Sequence, residues 1–228
     1  GTGNTLDQLT PVQTGTTTNW QDLFVGPEHS CAQKSDGTFW CWGLSGLQGI
    51  DVSNRIFPHQ VGSVTDWGEI HPATSHTCGF RSDGTLWCWG QNSYGQLGIG
   101  NTSNYNLPQR VGDSSDWTEV STENYGSCSV KSDGTLWCWG KNSSGNLGTG
   151  DSLDYPIPVQ ITSATNWTSQ ISRGVNSTSA IRADGTLWSW GSNNFGQLGI
   201  GNTTSQTTPV QTGADTDWSR VSVKGNHT

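Results

Sequence analysis

Six cysteines are the residues of this 228-residue chain whose type and spacing most readily support chemistry. They form three pairs at one constant offset: Cys31 with Cys41, Cys78 with Cys88, and Cys128 with Cys138. Two thiols so placed can oxidise to a disulfide or share a metal ion. Zinc sites usually take Cys at two-to-four-residue spacing and need four ligands to converge. Each pair here stands alone in its own stretch of chain, so a disulfide is the expected chemistry and no metal or other cofactor is expected. A fourth stretch of the same pattern carries Ser179 and Ser189 at both positions. Bonded partners would be lost together in this way, whereas independent thiols would have no reason to be. Persistent disulfides imply an oxidising compartment, here the extracellular space, the cell surface or the periplasm.

The remaining chemistry-bearing residues do not assemble into a reaction on the sequence. His29 and His76 each precede the first Cys of a pair by two residues, and His227 holds the equivalent place near the end. The aligned residues elsewhere are Gly126 and Ser177. A repeated position is expected to point outward, at a different place in each unit, so these imidazoles cannot share one metal. His59 and His71 have no partner at metal or triad spacing. Asp36, Asp83, Asp133 and Asp184 each precede a Gly, where Asp caps the turn backbone rather than acting as half of an acid–base pair. No G-x-S-x-G, no H-E-x-x-H and no phosphate-cradling loop with Lys is present. No catalytic residue is therefore assigned, and the chain reads as a non-enzyme. Six Asn-x-Ser/Thr sequons, at Asn101, Asn142, Asn166, Asn176, Asn202 and Asn226, are candidate glycosylation sites if the source is a eukaryotic secretory pathway.

The elements that must position these residues follow from a repeat, the first feature to seek in any chain. Four near-identical stretches read SDGTFWCWG from Ser35, SDGTLWCWG from Ser82 and again from Ser132, and ADGTLWSWG from Ala183. A second Trp series, Trp20, Trp67, Trp117, Trp167 and Trp218, keeps the same beat, and the two series account for all 13 Trp. A third marker is G-Q-L-G-I-G-N-T from Gly95, echoed from Gly145 and Gly196. The chain is thus one repeat domain over 1–228, with units at approximately 1–50, 51–100, 101–150, 151–200 and an incomplete 201–228. No helical periodicity interrupts the pattern. Ser127 to Lys131, a Ser132-Asp133-Gly134 tip and Thr135 to Trp139 read as a hairpin, since Asp-Gly supplies the left-handed tip that such loops need. Lys131 then faces Thr135, and Cys128 faces Cys138. Opposed antiparallel residues have Cβ atoms about 4.5–5.5 Å apart, within reach of a disulfide at a non-hydrogen-bonded pair.

Four short strands per fifty-residue unit is the arithmetic of a propeller blade. The fold class is all-β, a propeller of about fifty-residue repeats with about 4.5 present. A single blade cannot bury both faces, so Trp at fixed positions is expected to seal one blade against the next. The pattern W-x-x-V, H-T/S-C, S-D-G-T-L-W-C-W-G, G-Q-L-G-x-G-N-T and P-x-x-V resembles the regulator of chromosome condensation repeat. It is most similar to the secreted, Cys-containing bacterial branch, and the resemblance runs along the whole chain. It implies a seven-bladed ring but no single activity. Family members include a nucleotide exchange factor for a small GTPase, secreted β-lactamase inhibitors, and adhesion or scaffold modules.

Two departures shape the expected function. Gly1-Thr2-Gly3-Asn4-Thr5 reads as the stretch after a G-Q-L-G loop, and Gly225 to Thr228 stops where a fifth hairpin would begin. The ring is therefore expected to be partial or completed by another chain, and the chain without an initial Met to be a mature or excised product. Net charge is -8, with Lys plus Arg at only 10 and scattered singly. The basic stripe of a nucleic-acid binder or of a chromatin-bound exchange factor is missing. No apolar run reaches membrane-spanning length. The expected partner is a protein or glycan, with self-association through open blade ends as a further expectation. The first reading is a non-catalytic extracellular binding or adhesion module. The alternatives are a self-assembling building block, and then an accessory domain of a secreted enzyme or an enzyme inhibitor. Candidate recognition points are the loop tips that differ between units, Tyr94, Ser144 and Phe195. The tip of unit one, Trp42-Gly43-Leu44-Ser45-Gly46, is shortened.

Overall fold

The computed structural model describes residues 1–26, 29–43 and 55–225. His227, Asn226 and the end of the unit-one loop tip (Leu44-Ser45-Gly46) lie outside the described residues. Sixteen strands and no helix occur among the described residues. They form four antiparallel four-stranded sheets in sequence order, which are four propeller blades in an open ring. Blade one holds β1 (Trp20–Val25), β2 (His29–Lys34), β3 (Phe39–Gly43) and β4 (Arg55–Gln60). Blade two holds β5 (Trp67–Pro72), β6 (His76–Arg81), β7 (Leu86–Gly90) and β8 (Tyr105–Arg110). Blade three holds β9 (Trp117–Glu123), β10 (Gly126–Lys131), β11 (Leu136–Gly140) and β12 (Tyr155–Gln160). Blade four holds β13 (Trp167–Arg173), β14 (Ser177–Arg182), β15 (Leu187–Gly191) and β16 (Gln206–Gln211). The first strands β1, β5, β9 and β13 touch one another in succession, so they surround the ring axis.

The central hairpin of each blade has the register expected from its tip. Gly126 pairs with Gly140, Cys128 with Cys138 and Val130 with Leu136. The tip works because Gly134 adopts φ 75°, as Gly37, Gly84 and Gly185 do in their own blades. A Cβ on Gly134 would also lie 2.1 Å from the Thr165 carbonyl of the next blade's approach segment, so the position is closed to any side chain.

Three apolar clusters form the core, and each lies between blades rather than inside one. Between blades two and three, Cys78, Leu86, Cys88, Leu97 and Val111 meet Trp117, Val120 and Trp139. Between three and four, Cys128, Leu136, Cys138, Leu147 and Ile161 meet Trp167, Ile171 and Trp190. Between one and two, Phe39, the Cys31–Cys41 pair and Val61 meet Trp67, Ile70 and Trp89. Burial of a large apolar side chain stabilises by about 1.5–3 kcal/mol, so each interface is worth far more than any single blade could secure alone.

Candidate functional site

The Asp-Gly turn is a framework device. Asp133 Oδ1 accepts the Thr135 amide at 2.9 Å and the Thr135 hydroxyl at 2.6 Å. That hydroxyl oxygen in turn accepts the Trp137 indole N–H at 2.8 Å. Asp36, Asp83 and Asp184 repeat the relay with Thr38 and Trp40, Thr85 and Trp87, and Thr186 and Trp188. The Thr hydroxyl, then the Thr amide, holds each of these exposed carboxyls below the ordinary Asp range. A cation from the preceding strand covers each indole: Lys34 on Trp40 at 3.8 Å, Arg81 on Trp87 at 3.9 Å, Lys131 on Trp137 at 5.1 Å and Arg182 on Trp188 at 3.8 Å. Carboxylate, hydroxyl, indole and cation together hold the turn.

The three Cys pairs lie at bonding distance, with sulfur separations of 2.14, 2.09 and 2.04 Å. The Lys131 amide donates to Thr135 at 3.0 Å. Alternation along the ladder then makes Cys128–Cys138 a non-hydrogen-bonded pair, and its Cα separation of 4.0 Å agrees. In blade four the Ser179 and Ser189 hydroxyls hydrogen-bond at 2.9 Å. The Thr212 hydroxyl donates to the Leu198 carbonyl at 3.1 Å and shares a hydrogen bond with the Ser189 hydroxyl at 3.0 Å. Thr212 occupies the place that Val61, Val111 and Ile161 hold elsewhere, since its amide, like theirs, donates to the first residue of the third strand or its equivalent. A hydroxyl cluster thus replaces sulfur and hydrocarbon together. The Val-to-Thr change was visible in the repeat and is the signal that pairs with the two Ser.

The histidine position is corrected by the structure: it faces the neighbouring blade instead of solvent. His29 and His76 are fully buried. His29 Nε2 shares a hydrogen bond with Thr77 Oγ1 at 2.9 Å, and His76 Nε2 with Ser127 Oγ at 2.8 Å. Thr77 and Ser127 are each one residue beyond the next blade's equivalent position, so a polar belt runs from blade to blade. Burial pushes His29 down to about 4 and His76 to about 3, the latter with help from the Arg173 charge. Unit three has Gly126 because Arg173 reaches back from blade four. A Cβ there would lie 2.6 Å from the guanidinium, whose Nη1 stands 3.0 Å from Cys128 Sγ. Burial lowers Arg173 to about 10, opposed by the Glu123 charge. Arg173 gave no sequence signal, because its position is Pro72 in blade two and Thr122 in blade three.

The candidate loop tips part company. Tyr94 packs on Tyr125 of the next blade, ring centroids 5.0 Å apart, with Lys141 Nζ 4.8 Å over its ring. It is a clasp between blades. Ser144 is half-buried beside Gly145, which abuts Thr207. Phe195 is 80% exposed. Its loop is rigidly tied, since Asn193 Oδ1 accepts the Leu198 amide at 3.0 Å and Asn193 Nδ2 donates to the Asn202 carbonyl at 2.8 Å. Asn142 plays that same part in blade three. It is wholly buried, accepts the Leu147 amide at 2.9 Å and donates to Thr149 and Asp151. Asn142 is therefore withdrawn as a glycan acceptor, because its amide nitrogen has no path to solvent. Asn101 and Asn202 are exposed, and Asn166 and Asn176 are half-buried.

The axis carries a second concavity, a cavity of about 350 Å³ lined by Phe24, Ile70, His71, Glu119 and Ser121. Burial, then the Glu69 charge, raises the Glu119 carboxyl to about 7.

A cavity of about 680 Å³ opens on the far face of blade four and is lined by Leu187, Phe195, Leu198, Gly199, Thr212, Trp218 and Val221 among others. These are the counterparts of residues that are sealed between the other blades. Trp139 inserts there between blades two and three, with its indole N–H donating to the Gln96 carbonyl at 2.9 Å. The glycine of the loop makes room: a Cβ on Gly98 would stand 2.7 Å from the Trp139 indole nitrogen, and one on Gly148 2.8 Å from that of Trp190. At Gly199 the nearest group is only a Thr212 methyl at 3.0 Å. Trp218 is placed as its predecessors are, its amide donating to Gly185 at 3.2 Å just as Trp167 donates to Gly134 at 3.1 Å. Yet Trp218 is 39% exposed where Trp167 is 3%.

Comparison with known proteins agrees with this architecture. A sequence model of the regulator of chromosome condensation (RCC1) repeat matches residues 83–130, 133–181 and 184–228, and a second model of that repeat matches 169–197. The Ultraviolet-B receptor UVR8 of Arabidopsis thaliana is 54% identical over 43 residues, 19% of this chain and 10% of that protein. Prp20p of Saccharomyces cerevisiae superposes with a TM-score of 0.78 at 20% identity, covering 91% of this chain and 54% of that one. Human WBSCR16 superposes with a TM-score of 0.76 at 22% identity, covering 90% and 56%. The chain thus spans about half the length of these solved relatives, whose likeness at such identity concerns the fold. With its blades, turns and inter-blade Trp packing in register with three successive repeat matches over more than half its residues, the chain belongs to the regulator of chromosome condensation (RCC1) repeat family.

Proposed function

We propose that this chain is a non-catalytic, extracellular protein-binding or adhesion module. The observation that carries the reading is Phe195, a large apolar side chain left exposed on a loop that is fixed from within by Asn193. Aromatic anchors on rigid supports are the usual centres of binding energy. Phe195 also lines the open cavity of blade four, so anchor and pocket form one surface. Within the same fold, yeast Prp20p has been characterised for its binding to Gsp1p and histones and has been solved with Kap60 bound, which supports a protein as the partner. The three buried Cys pairs support an oxidising compartment, and the exposed Asn101 and Asn202 are the sequons best placed to carry glycans there.

The test is a partner isolated from the extracellular fraction, purified and titrated against the chain and its Phe195→Ala variant. Truncating an anchor should weaken binding by about tenfold or more while the thermal midpoint stays unchanged. Equal affinity for both proteins would remove the reading.

A further inference from the structure

Arg173 is a buried cation with no anion beside it. It stands on β13, and its guanidinium reaches across the interface into blade three. Among the described residues no carboxylate lies at ion-pair distance from it, and its Nε makes no hydrogen bond. Its Nη1 donates instead to Cys128 Sγ at 3.0 Å. Gly126 makes the room, since a Cβ there would lie 2.6 Å from Nη2. Glu123 acts on Arg173 only through space, and burial raises that acid, which weakens its help. Arg173 still carries its charge at neutral pH, because its lowered value is about 10. A buried charge without a partner is costly. A neutral disulfide sulfur answers it poorly, whereas a thiolate in the same place would answer it with a full charge.

The other two Cys pairs have no such neighbour. The register position of Arg173 is held by Pro72 beside blade one and by Thr122 beside blade two. Pro72 has no side-chain donor, and the Thr122 hydroxyl donates to the His71 carbonyl at 3.1 Å. The polar group next to Cys78 Sγ is the neutral Ser127 hydroxyl, at 4.0 Å. All three pairs share one hairpin register, one sequence separation of 10 and full burial. The guanidinium is what sets the third pair apart.

We infer that Cys128–Cys138 is the exchangeable disulfide of the three, and that Cys128 is a thiolate site which a dithiol reductant uncovers. The dithiol attacks Cys138 Sγ, because Cys128, stabilised by Arg173, is the better leaving group. The bond between the two Cys breaks, and a mixed disulfide forms between Cys138 and the reductant. The second thiol of the reductant then displaces Cys138, which takes up a proton. Two electrons pass from the dithiol to the pair. The products are the cyclic disulfide of the reductant, a Cys138 thiol, a Cys128 thiolate held by Arg173, and one proton released to solvent. That thiolate is a nucleophile for a further disulfide or for an alkylating agent. Both sulfurs are buried, so opening of the interface between blades three and four sets the rate. The Arg173 charge sets the equilibrium. Of the other titratable groups around it, His76 on β6 and Glu123 on β9 share its field, and β11 carries none.

The experiment brings the oxidised 228-residue chain to equilibrium with mixtures of reduced and oxidised dithiothreitol. Acid quenching, alkylation and peptide mass spectrometry then read each pair separately. Cys128–Cys138 should be half reduced at a dithiol-to-disulfide ratio at least about tenfold lower than the other two pairs, a difference of about 30 mV. Raising the pH by about one unit near neutrality should lower that ratio about tenfold more, because one proton is released, and leave the other pairs unmoved. The pH response should persist in Glu123→Gln, which assigns the proton to the thiol. Arg173→Gln should bring the pair level with the others and abolish its pH response, while Arg173→Lys should keep most of both. The comparison among three pairs needs only the unaltered chain, so it decides the matter even if a variant fails to fold. Equal midpoints for the three pairs overturn the inference. So do an unchanged order in folded Arg173→Gln and a pH response that vanishes in Glu123→Gln.

Discussion

The faces of blades three and four are built from almost the same residues and meet opposite fates. Blade three offers Leu136, Leu147, Gly148, Ile161 and a disulfide, and all are sealed under Trp167 and Trp190. Blade four offers Leu187, Leu198, Gly199 and Thr212 to the wall of an open cavity, with Leu187 and Leu198 themselves still buried and the Ser179–Ser189 pair buried behind them. The surface itself differs mainly by the exchange of Ile for Thr and Cys for Ser. Burial at a repeated position therefore depends on the neighbouring blade as well as on the residue type.

The comparison is broken most directly at the Trp residues. Trp139→Ala empties a filled slot and should cost about 3–5 kcal/mol in urea unfolding. Trp218→Ala, already half in water, should cost no more than about 1–2 kcal/mol by the area it still buries. Equal losses would mean that the two faces are energetically alike.

Acid should strain the sealed interfaces next. His29 and His76 are held neutral, with native values of about 4 and about 3, far below the ordinary 6.5. A depressed native value means the stabilisation is complete above about 6.5. It is then lost as pH falls toward 4, because the unfolded chain gains protons that the native chain refuses. At about 1.4 kcal/mol per unit, His29 alone should remove roughly 3 kcal/mol between pH 6.5 and 4. His29→Asn should flatten that part of the profile. Blade four, with Ser177 at this position, contributes nothing to it.

The difference in cross-linking is tested by converting one blade into the other. Ser179→Cys with Ser189→Cys should form a fourth disulfide and add about 2.5–3 kcal/mol for so short a loop. Thiol titration checks closure and the unfolding midpoint checks the gain. The reverse change, Cys128→Ser with Cys138→Ser, should lose a similar amount. Gly126→Ala forces the Arg173 guanidinium to shift. It should cost about 1–3 kcal/mol, the range for overpacking a filled interior, while Ser177→Ala on blade four should cost less.

Much of the blade could be read directly from the residues. The Asp-Gly tip sets the hairpin register, and the register places Cys128 across from Cys138. The Trp beat announces four sheets, and the structure has four. The Trp seal between blades was legible too, but the individual polar and ring contacts were not. His76 looks like a surface residue until Ser127 is beside it. Asn142 looks like a sequon until its amide is found inside its own loop. Tyr94 looks like a free tip until Tyr125 lies under it, and Arg173 has no repeated signature at all.

The amino-acid sequence by itself determined the hairpins, their cross-links and the repeated blade, because strand pairing, turn chemistry and a ten-residue disulfide loop all act between near neighbours in the chain. Only the tertiary structure decided which of the repeated positions are buried and which imidazoles stay neutral. Those outcomes depend on residues about fifty positions away, brought close by stacking, and no local pattern encodes which neighbour will be there.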